Sequence, residues 1–173
     1  MMSKFMPIIA AIMLTVCACG IEAEVATAFN DDCESFVIKR IDDAQTRIDV
    51  AIFSFTRHNI SRALVRAGKR GVKLTLKYDK TQAEGENMKE VIAFLGKNGV
   101  TCEAVSYKND MTKMHHKFIV IDDKRVITGS YNFTSQASES NAENVLCIES
   151  REVAEAYSRE FDAIKSDKKE KKK

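Results

Sequence analysis

The stretch that decides the fold is His115-His116-Lys117-Phe118-Ile119-Val120-Ile121-Asp122, followed after six residues by Gly129-Ser130-Tyr131-Asn132-Phe133. On a β-strand, alternate side chains share one face. His115 and Lys117 should therefore point to the same side, and His116 should point to the other side, where packing or solvent contact is expected.

The turn after this strand sets which residues of the next strand lie opposite. A two-residue loop at 123–124 would place Lys117 opposite Ser130 and His115 opposite Asn132. Four polar groups would then meet on one face of the sheet. A three-residue loop would instead turn Ser130 and Asn132 away from that face.

Such a cluster has the chemistry of a phosphate site. Lys117 supplies a positive charge, and Ser130 and Asn132 supply neutral hydrogen-bond donors, which suits a tetrahedral phosphate. A neutral imidazole at His115 can attack phosphorus, and a protonated imidazole can act as an acid. Because a lysine stands beside His115 and no carboxylate cluster does, we expect neither a metal ion nor a cofactor.

The spacing H-x-K-x4-D-x6-G-S-x-N resembles the signature of the phospholipase D superfamily. Six specified residues at about 5% usage each make a chance match in this chain roughly one in a million. The resemblance runs over 36–165 and includes AIFSFT at 51–56, ALVRAGKRGVKLTL at 63–76 and NAENV at 141–145. It is greatest to the subgroup with a single motif, typified by a small bacterial endonuclease, Nuc.

The resemblance implies a role for each residue of the motif. His115 is the catalytic nucleophile that forms a phosphohistidine. Lys117 and Asn132 hold the phosphate oxygens and stabilise charge in the transition state. Ser130 shapes the pocket and can donate a hydrogen bond.

Two acidic residues complete the site that the resemblance implies. Glu143 matches the residue that orients the catalytic imidazole through its far nitrogen. A structural ion pair is the alternative for Glu143. For Asp122, hydrogen bonding at the strand end and a direct catalytic role both stay open.

Only one copy of the motif occurs, whereas larger members of the family contain two. A double displacement needs two histidines, one that attacks and one that protonates the leaving oxygen. A two-fold symmetric homodimer would bring the second His115 and Lys117 into one shared cleft.

Helical and strand patterns alternate through the first two thirds of the chain. This predicts an α/β fold in which helices flank a mixed β-sheet, as in the α-β-α sandwich of phospholipase D-like nucleases. The predicted strands are 47–55, 72–78, 100–105, 115–121, 125–128 and 144–148. The predicted helices begin at caps Asp31 (a capping box with Glu34), Asn59 and Ser150, and a further helix covers 88–95.

The N-terminal 22 residues have the pattern of an export signal. An apolar run at 5–21 follows a single lysine and precedes small residues, as in a secretory signal peptide. A retained membrane anchor and a lipoprotein are the alternatives. We therefore expect a secreted or periplasmic protein, or else a membrane-anchored one, with a catalytic domain at 30–165.

Charge is concentrated at the C-terminus. The last six residues carry a net charge of +4, so that the rest of the chain sums to −2. Residues 166–173 should form a solvated, disordered tail, with binding to nucleic acid or anionic lipid as the alternative.

Three functions follow from these observations. The first is a metal-independent endonuclease that cleaves DNA or RNA without sequence specificity. The second is a phospholipase D that acts on phosphatidyl lipids such as phosphatidylcholine or cardiolipin. The third, a catalytically silent binding module, is disfavoured because every position of the motif is intact.

Overall fold

The computed structural model describes residues 23–107 and 112–165. The predicted signal peptide or anchor at 1–22 and the predicted tail at 166–173 lie outside the described residues and stay predictions. Among the described residues, no helix combines the length and apolar character needed to cross a bilayer.

A seven-stranded mixed sheet forms the centre of the fold. Strands β2, β3 and β4 are parallel, and β5, β6, β7 and β1 continue the sheet with antiparallel pairing. The spatial order is β1-β7-β6-β5-β2-β3-β4. The strands are β1 (Glu24–Phe29), β2 (Arg47–Ile52), β3 (Lys73–Asp79), β4 (Thr101–Val105), β5 (Lys117–Ile121), β6 (Arg125–Gly129) and β7 (Asn144–Glu149).

Helices cover both faces of the sheet. One face packs on α1, α2 and α3 in the larger hydrophobic cluster, and the other face packs on α5 in a smaller one. The helices are α1 (Asp32–Asp42), α2 (His58–Lys69), α3 (Glu86–Lys97), α4 (Ser135–Glu139) and α5 (Arg151–Ala163), with a short 3-10 helix at Gln82–Glu84. The predicted α/β class, with helices flanking a mixed sheet, is therefore confirmed.

The two clusters follow from the alternation of side chains along each strand. In β5, Ile119 and Ile121 enter the larger cluster, whereas Phe118 and Val120 enter the smaller one beneath α5. Both faces of the strand are covered, which explains why its middle reads as a continuous apolar run.

Helix α5 is held at its C-terminal end by a buried cation from the sheet. Lys77 on β3 donates hydrogen bonds from its Nζ to the carbonyl oxygens of Phe161 (2.7 Å) and Ile164 (2.8 Å). Its ammonium also lies 4.5 Å from the centre of the Phe161 ring. A positive charge at this end satisfies unpaired carbonyls and complements the helix dipole.

Of the three predicted helix caps, Ser150 is confirmed, Asn59 is wrong, and Asp31 is the N-cap of α1 but forms no capping box. Asp31 makes no capping hydrogen bond, and the Glu34 side chain pairs instead with Arg57. Helix α2 begins at His58, before Asn59. Ser150 does cap α5, because its hydroxyl accepts a hydrogen bond from the Val153 amide.

Strand β1 was not expected from the sequence. It lies before residue 30, pairs with β7 and buries only Ala28. A strand with one buried side chain has little hydrophobic alternation, and therefore gives no period-two signal.

The predicted two-residue loop between β5 and β6 is also wrong. Phe118 pairs with Thr128 and Ile121 with Arg125, so the loop contains three residues, 122–124. Asp122 and Asp123 both adopt positive φ angles, 54° and 52°, which Asp tolerates better than most residues. The predicted pairing of Lys117 with Ser130 therefore does not occur.

The three described cysteines are free thiols. Cys33 and Cys147 are buried, and Cys102 is partly buried. Burial raises the pKa of the Cys102 thiol to about 11, so this cysteine stays protonated and unreactive at neutral pH.

Candidate active site

The candidate site lies at the edge of the sheet where β2 and β3 end and β5 begins. Open α/β sheets commonly bind ligands at the carboxyl ends of their parallel strands. A cleft of about 620 Å³ opens here, and His115, Lys117 and Ser130 all line it. Helix α5 forms the opposite wall of the cleft with Ala156, Tyr157 and Glu160. The remaining lining residues are His116, Phe118, Thr128 and Gly129.

His115 and Lys117 are in direct contact. The Lys117 Nζ lies 3.3 Å from each ring nitrogen of His115 and donates a 2.9 Å hydrogen bond to the His115 carbonyl oxygen. The Phe53 ring supports both groups, with its centre 4.5 Å from that of the imidazole and 5.2 Å from the ammonium. The predicted placement of His115 and Lys117 on one side is thus observed.

The surroundings of this pair favour the neutral imidazole. Partial burial, followed by the positive charge of Lys117, lowers the pKa of His115, while Asp79 opposes the change. Since an ordinary histidine has a pKa of about 6.5, His115 is mainly neutral at pH 7. Partial burial also lowers the pKa of Lys117, and the Glu143 carboxylate opposes that shift.

Ser130 reaches the cleft although the predicted strand register is wrong. It follows Gly129, the last residue of β6, at a point where β6 lies against β7. A Cβ at Gly129 would overlap the Asn144 carbonyl oxygen, and φ there is +157°, so that only glycine fits. The Ser130 amide donates to that same carbonyl (3.2 Å), and the Asn144 amide donates to the Ser130 hydroxyl (3.1 Å).

Glu143 lies behind Ser130. Its buried carboxylate accepts hydrogen bonds from the Ser130 hydroxyl and from the Asn141 side-chain amide (3.0 Å). Asn30, at the end of β1, fixes its backbone by accepting from the Glu143 amide and donating to its carbonyl. These hydrogen bonds do not include the imidazole of His115, so its predicted orienting role stays a prediction.

Asn132 occupies the loop after Ser130. Its Oδ1 atom is buried and lacks a hydrogen-bond partner among the described residues, as expected of a group that a ligand could engage. The aromatic residues on either side, Tyr131 and Phe133, are 2% and 3% exposed. They therefore pack in the core.

Asp122 lies at the far end of β5 from Lys117. Its carboxylate accepts hydrogen bonds from the amides of Gln45, Thr46 and Arg47, which form the entry to β2. Lys117 and Ile121, the residue before Asp122, lie four residue steps of a strand apart, about 13 Å. Of the two roles left open, the geometry matches the structural one, and Asp122 does not join the cleft.

His116 points to the opposite face from Lys117, as predicted. Its Nε2 lies 3.1 Å from a carboxylate oxygen of Glu160 on α5. This contact ties the wall of the cleft to the segment that carries His115.

Sequence reasoning missed two residues close to His115 and Lys117, namely Phe53 and Asp79. Phe53 was read only as part of a buried strand. Asp79 comes at the end of a strand, on the carboxyl edge of the sheet, where polar residues often contribute to a ligand-binding site. This position in the sequence could have indicated a role for Asp79. Among the described residues, no three His, Cys, Asp or Glu side chains converge as metal ligands do.

Comparisons with known proteins agree with the fold and the motif. The family profile described as "Cardiolipin synthase, PLD-like domain" matches residues 37–165. Nuc from Salmonella typhimurium, a phospholipase D family member of known structure, superposes with a TM-score of 0.78 at 29% identity, over 83% of this chain and 94% of that one.

Curated relatives are similar over most of this chain. A phospholipase D of Rickettsia felis is 35% identical over 139 residues, which cover 79% of this chain and 67% of that protein. The mitochondrial cardiolipin hydrolase of Danio rerio is 32% identical over 148 residues, 84% of this chain and 60% of that protein. The match thus spans about two thirds or less of these relatives. With His115, Lys117 and Ser130 of its motif lining a cleft of the expected fold, this chain belongs to the phospholipase D superfamily of phosphodiester hydrolases.

Proposed function

We propose that the protein is a metal-independent endonuclease that cleaves nucleic-acid phosphodiesters through a phosphohistidine on His115. The observation that carries the proposal is the contact between His115 and the Lys117 Nζ in one open cleft, where partial burial and that positive charge lower the pKa of His115. A neutral imidazole supplies the nucleophile, and the ammonium beside it stabilises the charge that develops on the phosphate.

The first step forms a bond from an imidazole nitrogen of His115 to phosphorus. The phosphorus–oxygen bond to the leaving alcohol breaks, and an acid must give that oxygen a proton. In the second step a water molecule loses a proton to the same acid, now a base, and attacks phosphorus. The nitrogen–phosphorus bond breaks, which releases a phosphomonoester and restores His115.

The acid is the His115 of a second copy of the chain. Partial burial and the Lys117 ammonium lower the pKa of His115, and two imidazoles beside one phosphate titrate as a pair, so that one is neutral while the other is charged. We therefore propose an active homodimer with a shared cleft.

A continuous sheet surface beside the cleft supports this dimer. One row of paired residues crosses the sheet from β1 through β7 and β6 to β5, and consists of Thr27, Leu146, Thr128 and Phe118. Thr128 and Phe118 also line the cleft. On the same face, Val25 and Phe29 flank Thr27 on the edge strand β1, 55% and 60% exposed. Exposed apolar side chains of this kind are typical of interaction surfaces.

The direction of β1 favours a substrate in solution. Glu24 pairs with Glu149 at the end of the sheet farthest from the cleft, and Phe29 pairs with Asn144 beside Ser130. Strand β1 is about 17 Å long. If residues 5–21 were held in a bilayer, that bilayer would lie at the end where β1 begins, and the cleft would open away from it.

A phospholipase D is the second candidate, because one wall of the cleft is apolar. Phe118, Ala156 and Tyr157 form that wall, and it would suit the hydrocarbon portion of a lipid. The names of the curated relatives favour the same substrate class. Active-site chemistry is the same for both, since each substrate is a phosphate diester.

Paired assays on the purified protein separate these candidates. An endonuclease nicks supercoiled plasmid in excess EDTA, whereas a phospholipase releases phosphatidic acid from phosphatidylcholine or cardiolipin vesicles. The His115→Ala variant is the control for contaminating activity. Nicking that stops in EDTA would contradict the metal-independent mechanism, and lipid hydrolysis without nicking would transfer the proposal to the second candidate.

Subunit mixing tests the shared cleft. If wild-type and His115→Ala chains are unfolded together in equal amounts and refolded, random pairing leaves about a quarter of the dimers with two wild-type chains. Activity per total protein should then be about a quarter of the wild-type value. A value of one half would show that each chain works alone.

A further inference from the structure

We propose that Asp79 is a positioning residue for the catalytic reaction, because its buried carboxylate fixes the segment that presents His115 to the cleft. The inference rests on the proposed function, since it assigns His115 the nucleophile's part. Nothing in the motif points to Asp79, which precedes His115 by 36 positions.

The carboxylate of Asp79 joins two pieces of chain. Asp79 is the last residue of β3 and is 2% exposed. Its Oδ2 atom accepts a 2.9 Å hydrogen bond from the amide of Met114, the residue before His115. Its Oδ1 atom accepts from the amides of Thr81 (3.0 Å) and Gln82 (3.2 Å), which begin the next turn.

The segment that carries His115 depends on such contacts. Residues 112–116 form neither helix nor strand, so no regular ladder holds them. Met114 is held by Asp79 on one side of His115, and the Phe53 amide donates a 2.9 Å hydrogen bond to the His116 carbonyl on the other. The Met114 side chain is buried, with 1% of its surface exposed. His115 itself stays exposed, so its backbone neighbours determine where its ring lies.

Asp79 also acts on His115 through its charge. Partial burial and the Lys117 ammonium lower the pKa of His115, and the Asp79 carboxylate opposes them. Replacing that carboxylate by an amide should therefore lower the pKa of His115 further.

The Asp79→Asn variant tests this role, with Asp49→Asn as its matched control. Asp49 is an equally buried strand aspartate, 1% exposed, whose carboxylate pairs with Arg47 and makes no contact with residues 112–116. In Asp79→Asn, the NMR titration midpoint of His115 should move to lower pH. The value of kcat should fall about 10- to 100-fold with little change in KM, as a misplacement near 1 Å produces. Asp49→Asn should leave both unchanged.

Two further measurements guard against a variant that fails to fold. The Thr81 hydroxyl also donates a 2.5 Å hydrogen bond to the Asp79 Oδ1 atom. Thr81→Ala removes this bond on the turn side of Asp79 while keeping the bond to Met114, and should leave the His115 midpoint unchanged. In the wild-type protein the Met114 amide should exchange slowly with solvent although it lies outside helix and strand. Any of three results would overturn the proposal. The first is an unprotected Met114 amide, and the second is an unchanged His115 midpoint in folded Asp79→Asn. The third is a shift of that midpoint in Asp49→Asn or Thr81→Ala as large as in Asp79→Asn. The NMR measurements need no substrate, so failure of the link between Asp79 and the His115 segment is distinguished from absence of turnover by the wild-type protein, which would defeat the proposed function.

Discussion

Replacement of Asp122 by alanine should destabilise the protein and leave its chemistry in place. The Asp122 carboxylate accepts hydrogen bonds from the amides of Gln45 (3.0 Å), Thr46 (2.7 Å) and Arg47 (3.2 Å) and from the Thr46 hydroxyl (2.9 Å). It therefore joins the β5–β6 loop to the start of β2. Asp123 is the matched control, because it has nearly the same positive φ angle and a 64% exposed side chain.

The free energies of unfolding of the two variants should differ by about 3 kcal/mol. Alanine is strained at a positive φ in both, at a cost of about 1 kcal/mol, so that the strain cancels in the comparison. Three backbone amides lose an acceptor only in Asp122→Ala, and each such bond contributes about 1 kcal/mol net. Water reaches this loop and can replace part of the loss, which makes the sum an upper value.

The effect should also depend on pH. Partial burial would raise the pKa of Asp122, but the hydrogen bonds from Thr46, Arg47 and Gln45 outweigh it and lower the pKa. A lowered folded-state pKa means that the carboxylate contributes stability above the unfolded value of about 3.9. That contribution is lost as the pH falls through the folded-state pKa. The difference in free energy of unfolding between wild type and Asp122→Ala should therefore become smaller below pH ~4.

Urea unfolding of the wild type and both variants at pH 7 and pH 3 measures these differences. Phosphodiesterase activity is then compared at a temperature where all three proteins are folded, and Asp122→Ala should retain activity within a few-fold of wild type. The reasoning is refuted if Asp122→Ala is as stable as Asp123→Ala yet loses turnover about 1,000-fold, the size of loss expected for a residue of the catalytic machinery.

Four further outcomes follow from the site. His115→Ala should lose at least about 1,000-fold in kcat without a change in Tm, because the side chain is exposed and is the proposed nucleophile; retained turnover would defeat the mechanism. Lys117→Ala should lose about 100-fold or more in kcat, since it leaves the developing charge uncompensated. Gly129→Ala should unfold several degrees lower, because its Cβ meets the Asn144 carbonyl and one kcal/mol shifts Tm by about 2–8 °C; an unchanged melting curve would contradict the close approach of β6 and β7. A pH profile of kcat/KM should reach half its plateau on the acid side below pH ~6.5, because the pKa of His115 is lowered from its usual value; a midpoint above 7 would argue that a nearby carboxylate dominates instead.

Much of the fold could be predicted because local patterns and tertiary packing agree. Apolar residues at helical spacing are buried in the helices, as at Val37 and Ile41 of α1 and Leu64 of α2, so that a periodicity visible in the sequence agrees with the packing. His115 and Lys117 meet as predicted because their separation of two residues fixes a common side, whatever the partner strand does.

The errors arise where a distant contact decides a local geometry. The loop at 122–124 has three residues because Asp122 binds the start of β2, some 75 positions earlier, and no local turn rule contains that contact. Glu34 is drawn from its expected cap by Arg57, which lies 23 positions away. Asp79 likewise acts on a segment that only the fold brings to it.

The hydrogen bonds from Lys77 to the end of α5 make the shape of the cleft depend on a residue that does not line it. Ala156, Tyr157 and Glu160 form the wall on that helix, and the helix is anchored one turn further on by a strand from the other half of the sheet. We expect a change at Lys77 to move this wall and so to alter which diesters fit the cleft, while His115 and Lys117 keep their contact. The fit of a substrate would then depend on a part of the molecule separate from these two residues.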